Sequence, residues 1–328
     1  MKHSKAGIAL IIVGAILIAL VPIWKWGITP HLTKIPDSIK TTSVYEGTLA
    51  LNVDPNTMAV LPPEMTVKIP LSIERVDTSD KAKSDGSTAV IKETAVAQGP
   101  AGKVFLSYTK YFAIDRATAQ NVASKEADVK NRKGYSIALG FSVDEKKAYP
   151  YWDDDTATVT NLRFVKTVSK NGIDYNNVPL LMFKASSEAK MVTPPLGLPS
   201  QIPGSGIKSI LGNQNLPFGD TQNYPIDYVK FVDATLLIDQ KEGSIVDVNS
   251  YQETYSVDAT ALGMGKIKIG SLTYSQTPEN VAKAIDDVVK TYPLLNAVQI
   301  YIPVILLGIG LIILVIGFFL FFRKKQRT

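Results

Sequence analysis

Met65-Thr66-Val67-Lys68-Ile69-Pro70-Leu71-Ser72-Ile73-Glu74 alternates apolar and polar residues without a break. A period of two over this length places the two sets on opposite faces of a β-strand. Pro70 cannot donate to a ladder, so this strand is expected at an edge or bulged there. The same alternation recurs on either side. Residues 44–53 set Tyr45, Leu49, Leu51 and Val53 against Glu46, Thr48 and Asn52, and residues 135–144 turn Tyr135, Ile137, Leu139, Phe141 and Val143 inward. Residues 103–114 predict a further strand, 77–88 a polar exposed loop, and the Ala-rich 115–129 a short helix. Asn171-Gly172 between 162–168 and 178–185, and Lys241-Glu242-Gly243 between 229–239 and 244–255, predict two hairpins. The fold class is therefore mainly β (α+β): antiparallel sheets with a barrel-like arrangement.

Two apolar stretches frame this domain. Residues 294–322 carry no charged side chain, and Arg323, Lys324, Lys325 and Arg327 follow. About 20 apolar residues cross a bilayer as a helix. Residues 6–26 form the second stretch and end in Trp24-Lys25-Trp26, residues suited to the headgroup level. This run is longer than a signal-peptide core, and Ala19-Leu20-Val21-Pro22 is a poor cleavage site, so an uncleaved anchor is expected. Ala15 and Ala19 offer a small-residue face, within what ordinary helix composition also gives. The organisation reads as tail 1–5, transmembrane helix 6–26, β-rich domain 27–291, transmembrane helix 294–322 and basic tail 323–328. Thr277-Pro278 starts an amphipathic stalk helix over 277–292, with Val281, Ile285, Val288, Val289 and Tyr292 on one stripe and Pro293 bending the chain after it.

Charge gives the topology. Six of the 35 basic residues sit in the two tails, leaving 29 against 30 acidic residues elsewhere. The basic pI of about 9.0 is thus a membrane signal and not a nucleic-acid surface. Basic flanks stay cytoplasmic, so both termini are expected inside and the β domain outside a cytoplasmic membrane. The absence of cysteine and of any Asn-x-Ser/Thr acceptor points to a prokaryotic envelope.

No reaction chemistry is legible. The only histidines are His3 and His31, so no serine or cysteine triad and no His-rich zinc site can be built in the domain. No Gly-x-Ser-x-Gly, Walker or Rossmann sequence occurs. No catalytic residue, metal or cofactor is expected. Asp153-Asp154-Asp155 could contribute to a calcium site, but successive strand residues point to opposite faces; a solvated acidic turn after an aromatic strand end is the simpler expectation. Asp115 and Arg116 could pair near it.

Residues 193–219 are rich in Pro and Gly, and Lys208 is their only ionised side chain. The apolar residues Leu196, Leu198, Ile202, Ile207, Ile210, Leu211, Leu216 and Phe218 lie there. A connector is usually polar because water can then satisfy its backbone. Leu198, Ile202, Ile207, Ile210, Leu211, Leu216 and Phe218 are therefore expected to line or cover a ligand site or to meet the membrane, the plainer alternative being packing on the domain.

Thr42-Ser43-Val44-Tyr45-Glu46-Gly47 after an N-terminal span, Asp115-Arg116-Ala117-Thr118, Tyr149-Pro150-Tyr151-Trp152-Asp153, Gly243-Ser244-Ile245-Val246 and a C-terminal span follow one another in this chain. Taken in order, these stretches resemble the PorA-type porin family over nearly the whole length. The resemblance marks Glu46, Gly47, Asp115, Arg116, Tyr149, Pro150, Trp152, Asp153 and Gly243 as motif residues, and it implies a channel. Where family members carry a Thr-Gly in the later hairpin, this chain has Glu242-Gly243.

Two functions are expected, ahead of a third reading, an enzyme that uses paired carboxylates. The first is a membrane-anchored extracytoplasmic protein that binds a lipid or other apolar ligand, a glycan or an envelope protein, or that organises the envelope. The second is an oligomeric porin. The partners are the bilayer, such a ligand and, for a channel, further copies of the chain, with no nucleic acid.

Overall fold

The computed structural model describes residues 5–54, 59–128, 131–168, 178, 180–195, 198–212, 215–260 and 265–323. The elements in chain order are α1 (Lys5–Pro22), α2 (Thr29–Leu32), β1 (Lys40–Leu51), β2 (Val67–Ser79), β3 (Thr88–Gln98), β4 (Val104–Asp115), β5 (Asn121–Val122), β6 (Tyr149–Asp153), β7 (Thr158–Val168), β8 (Leu180–Lys190), β9 (Gln201–Pro203), α3 (Gly204–Ile210), β10 (Asn223–Pro225), β11 (Tyr228–Asp239), β12 (Ile245–Asp258), β13 (Lys266–Gln276), α4 (Pro278–Asn296) and α5 (Ile302–Phe322). The chain divides into two units, one of Met1–Lys34 with Asp287–Thr328, the other Ile35–Asp286.

The larger unit is one curled, antiparallel sheet of eleven strands in the order β5-β4-β3-β2-β1-β13-β12-β11-β8-β7-β6, a half-barrel. Register shifts between β11 and β12 at Thr235/Leu236, and between β7 and β8, add the local twist that curls it. The strip 134–135 bridges the two edges. Asn121 of β5 donates to Gly134 O (2.7 Å), Tyr135 N donates to Pro150 O (2.8 Å), and Trp152 N donates back to Tyr135 O (2.8 Å).

Alternation decides which face is buried. Outward positions such as Lys68, Glu74, Lys184, Glu188, Gln252 and Ser275 are exposed. The inward set forms two apolar clusters at opposite ends of the strands. One is built on Ile91, Phe112, Ile114, Leu181, Phe183 and Ile238, the other on Val53, Ile202, Tyr228, Tyr255, Val257 and Ile269.

The predicted strands at 44–53, 65–74, 103–114, 162–168, 178–185, 229–239 and 244–255 correspond to β1, β2, β4, β7, β8, β11 and β12. Asn171-Gly172 lies outside the described residues. Pro70 falls in the part of β2 that β3 does not reach, because Gln98 pairs with Ser72, so the strand is an edge there. Strands β3 and β13 escaped the sequence pattern, since β3 carries alanines where bulkier apolar residues mark its neighbours.

Three expectations are corrected. Residues 77–79 complete β2 and Thr88 starts β3, with Asp77 buried, so the polar loop spans only 80–87. Residues 115–128 form a turn and β5 and no helix. The Asp115 carboxylate accepts from Ala117 N (3.0 Å), Thr118 N (2.8 Å) and the Thr118 hydroxyl (2.9 Å), and Ala119 sits at φ +62°, outside helical space. Residues 135–144 are not a strand, although Tyr135, Leu139 and Val143 are buried as the alternation requires. Gly134, Gly140 and Ser142 take positive φ and break the ladder, so the segment crosses the barrel end as an irregular strip.

In the smaller unit α1 and α5 run antiparallel, and their buried residues are glycines spaced by one heptad: Gly7 and Gly14, Gly310 and Gly317. A Cβ on Gly14 would lie 2.8 Å from Gly310 O, and one on Gly7 2.9 Å from Gly317 O, so only glycine permits this approach. Ala15 and Ala19 are exposed, as ordinary helix composition predicts, and form no contact face. The helices continue as π-helical segments, Ile23–Ile28 and Ala297–Tyr301, and the Trp24 indole N–H donates to Val298 O (2.9 Å). Pro293 lies inside α4, which does not break there. At the other end of α4 the Thr277 hydroxyl caps Asn280 N, and Val281 and Ile285 are buried.

Candidate functional site: a belt of charges and tyrosines inside the barrel

Between the two apolar clusters the inward register places charges and phenols. On β2 the positions after Leu71 and Ile73 are Arg75 and Asp77. On β3 Glu93 follows Ile91, and on β11 Lys230 lies between Tyr228 and Val232. Arg75 Nη2 pairs with Glu93 (2.9 Å) and its Nε with Asp77 (3.1 Å), and the Tyr108 hydroxyl donates to Glu93 (2.8 Å). Lys230, 2% exposed, donates to Asp153 (2.8 Å), Asp155 (2.8 Å) and Glu253 (3.1 Å), and Tyr255 donates to Glu253. Burial disfavours both cations. The surrounding acidic groups, Asp77 and Glu93 for Arg75 and Glu253, Asp155 and Asp153 for Lys230, outweigh it and raise both pKa values. Burial also raises Glu253, with Lys230 opposing it.

The three consecutive aspartates divide as strand geometry requires. Asp153 and Asp155 turn to Lys230, and Asp154 turns the other way. It accepts from Arg132, Lys110 Nζ (3.2 Å) and the Trp152 indole (2.6 Å). Burial of Asp154 is outweighed by Arg132 and Lys110, which hold its carboxyl below the usual range. Arg132 also lies over the Phe112 ring at 4.0 Å. The turn is therefore a knot of ion pairs and not the solvated loop expected from sequence. A lysine ammonium stands among the carboxylates that a calcium ion would have needed. Among the described residues no group of three or more acidic, His or Cys side chains is arranged to hold a metal.

Tyrosines line the space beside these charges. Tyr251 stacks on Tyr274 (centroids 4.9 Å apart, 18° between planes), and Tyr45 meets Tyr274 edge-on at 5.3 Å. Burial pushes the Tyr151 phenol up to about 12 and raises Tyr45, Tyr251 and Tyr274 as well. Gly47, Ile73, Tyr151, Phe164, Tyr251 and Tyr274 face inward yet remain partly accessible, and Arg75 keeps 23% of its side-chain surface. Solvent-accessible surface thus remains on inward-facing residues of β1, β2, β6, β7, β12 and β13 beside the belt.

The motif residues serve this construction. A Cβ on Gly47 would lie 2.5 Å from Thr273 O and 2.8 Å from Tyr274 Cβ, so glycine lets the Tyr274 strand close on β1. Glu46 points outward and is exposed. Arg116 does not pair with Asp115. Its Nε donates to Ile35 O (2.8 Å) and its Nη1 to Asp85 O (3.1 Å), with an ion pair to Asp37. Tyr149 packs edge-on against Tyr135 and Phe183, and Pro150 supplies the carbonyl that receives Tyr135. Gly243, at φ +73°, abuts Gly140 so closely that any Cβ would overlap its carbonyl oxygen. That contact ties the β11–β12 turn to the strip over the first cluster, with Leu139 N donating to Gly243 O (2.8 Å).

The candidate ligand residues gather at the other end. Ile202, Ile207, Ile210 and Leu211 are buried, and Leu198, Leu216 and Phe218 are partly buried against them. Leu196 lies outside the described residues; the described part of 193–219 contains β9, which pairs with β10, and α3, and it packs as a lid on the second cluster. The belt residues Arg75, Glu93, Lys230, Tyr251, Glu253 and Tyr274 were not singled out from the sequence. Their signal was a charged residue standing in the inward register of an otherwise apolar strand.

Comparison with curated proteins gives no match. The family model described as Porin PorA matches residues 6–319. With two helices long and apolar enough to cross a membrane, a β-rich domain and a match over nearly its whole length, the chain belongs to the PorA porin family, as a porin-like membrane protein.

Proposed function

We propose that the protein is a two-pass membrane protein whose extracytoplasmic half-barrel binds an amphiphile in its interior, without catalysing a reaction. One observation carries this reading: the inward-facing Tyr151, Tyr251 and Tyr274 keep accessible surface beside a charged belt and two buried apolar clusters. Such a combination suits a molecule with an apolar chain and a polar head. The basic tails, Lys2 and Lys5 at one end and four residues at the other, support a topology with both termini in the cytoplasm of a prokaryotic cell. Native mass spectrometry of the detergent-purified chain tests the binding. A retained amphiphile that the denatured protein releases is expected, and a ligand-free spectrum after gentle extraction overturns it. Single cysteines placed at Ser84 and Ser4 of this cysteine-free chain test the topology. An impermeant thiol reagent on intact cells should label the first position only.

A second reading rests on the family match: an oligomeric channel in which several α1–α5 pairs surround a pore. Conductance steps in planar bilayers would support it. Their absence, with a monomeric mass in native spectra, would remove it.

A further inference from the structure

The described residues of 193–219 pack against β11, β12 and β13, and the β2–β4 side of the half-barrel carries exposed apolar residues. There Met65, Val67, Val104 and Leu106 are 45–59% exposed. Val67 and Leu106 belong to the inward register, since Val67 is in phase with buried Leu71 and Leu106 pairs with buried Ala97. Among the described residues β4 is also an edge along this lip, because β5 pairs with Ala113 and Ile114 at its far end. Past the lip, the Lys110–Asp154 pair is partly exposed (28% and 20% of the side chains), and the partly accessible tyrosines beside the belt follow.

The belt has a sign. Six carboxylates (Asp77, Glu93, Asp153, Asp154, Asp155, Glu253) face four cations (Arg75, Lys110, Arg132, Lys230). An anionic head at this belt would meet a surplus of negative charge, whereas a cation is attracted by that surplus and by the tyrosine rings. Building on the amphiphile reading above, we propose that the interior takes an amphiphile with a cationic head, its apolar chain lying across the lip at Val67 and Leu106. Continuity of that lip with the accessible belt joins the two halves of the ligand.

The test uses the full chain in nanodiscs, with empty nanodiscs subtracted. The neutral apolar fluorophore N-phenyl-1-naphthylamine is displaced by three dodecyl amphiphiles kept below their critical micelle concentrations. These differ only in the head: trimethylammonium, maltoside and sulfate. The trimethylammonium compound is expected to displace at about tenfold lower concentration than the sulfate, roughly the effect of one net charge interaction in a partly solvated site. Leu106→Gln, at an exposed position that does not support the fold, should weaken all three by a similar factor. Equal displacement by all heads, or preference for the sulfate, overturns the inference while leaving the amphiphile reading intact. Unchanged displacement in Leu106→Gln removes the lip as the chain's seat. Failure of the wild-type chain to take up the fluorophore or any of the three compounds sinks the amphiphile reading itself.

Discussion

Replacing Lys230 with methionine removes the one cation shared by Asp153, Asp155 and Glu253, all within 3.1 Å of its ammonium. The methionine fills the space of the lysine stem, so the effect is electrostatic. Breaking a buried pair by deleting one partner costs about 3–5 kcal/mol, because a charge remains in low dielectric without compensation. At roughly 2–4 °C per kcal/mol for a domain of this size, the melting temperature should fall by about 6–20 °C. The deficit should also depend on pH. Burial already raises the Glu253 carboxyl, and Lys230 is what opposes that rise, so the variant raises it further. A carboxyl whose folded pKa lies above its unfolded value favours folding below the unfolded value, and that benefit disappears as pH rises through the folded one. The variant should therefore lie closest to wild type near about pH 4 and farthest at neutral pH. Thermal unfolding of the full chain in detergent, followed by the β signal in circular dichroism, reads both quantities. Adding Glu253→Gln to Lys230→Met should recover part of the loss, since it removes one uncompensated charge. A loss under about 1 kcal/mol, the value of a surface pair, or a deficit that does not vary with pH, would refute the description of the belt as buried and mutually compensated.

Three further outcomes follow from particular contacts. Gly47→Ala forces a methyl group within 2.5 Å of Thr273 O and should cost about 1–3 kcal/mol by overpacking, measured as a lower denaturation midpoint. Ile207→Ala in the lid should cost about 2–5 kcal/mol, because that side chain is 7% exposed; a cost near zero would show that the lid is not part of the core. Burial raises Asp247 from 3.8 to about 6, so wild-type stability should fall as pH rises between those values, and Asp247→Asn should flatten that part of the melting-temperature profile.

Much of the β architecture was legible because inward residues are apolar and outward ones polar along much of β1 and β2, and because Lys241-Glu242-Gly243 marks the turn between β11 and β12. Legibility ended where the period persists without a ladder. Residues 135–144 bury alternate side chains as a strand does, but positive φ at Gly140 and Ser142 prevents pairing, and alternation reports burial before it reports hydrogen bonding. The helix expected over 115–129 failed for a local reason: the Asp115 carboxylate caps Ala117 N and Thr118 N as at a helix start, but Ala119 then takes φ +62° and turns the chain into β5. The belt was hidden by assembly. Lys230 lies 75 residues from Asp155 in sequence, and nothing local to either announces the other. The glycine contact between α1 and α5 was hidden in the same way, since a heptad-spaced pair of glycines acquires meaning only when the partner helix presents its own pair.

The placement of apolar surface decides how a porin-family relationship can be expressed in this chain. A membrane barrel turns alternate strand residues toward lipid and keeps a polar lumen. The outer face of this half-barrel does the reverse, with Lys68, Lys92, Lys184 and Glu188 exposed, while the interior holds the charged belt together with Phe112, Phe183 and Ile238. Each outward lysine at bilayer depth would cost about 2–4 kcal/mol, so the sheet is built for water. The lipid-compatible surface belongs to α1 and α5, where Ile8, Ile12, Ile16, Val304, Ile312 and Val315 are exposed. A single pair of these helices holds no aqueous path. Their contact is glycine against backbone at Gly7, Gly14, Gly310 and Gly317, with less than a side chain's width between them. Water-filled permeation through this chain would therefore require several pairs to stand apart around a common axis with apolar walls, which resist wetting. Transfer of an amphiphile through the half-barrel needs no such pore. The two routes separate in one comparison: conductance depends on copies assembling, whereas uptake of a dodecyl amphiphile should survive in a nanodisc that holds a single copy.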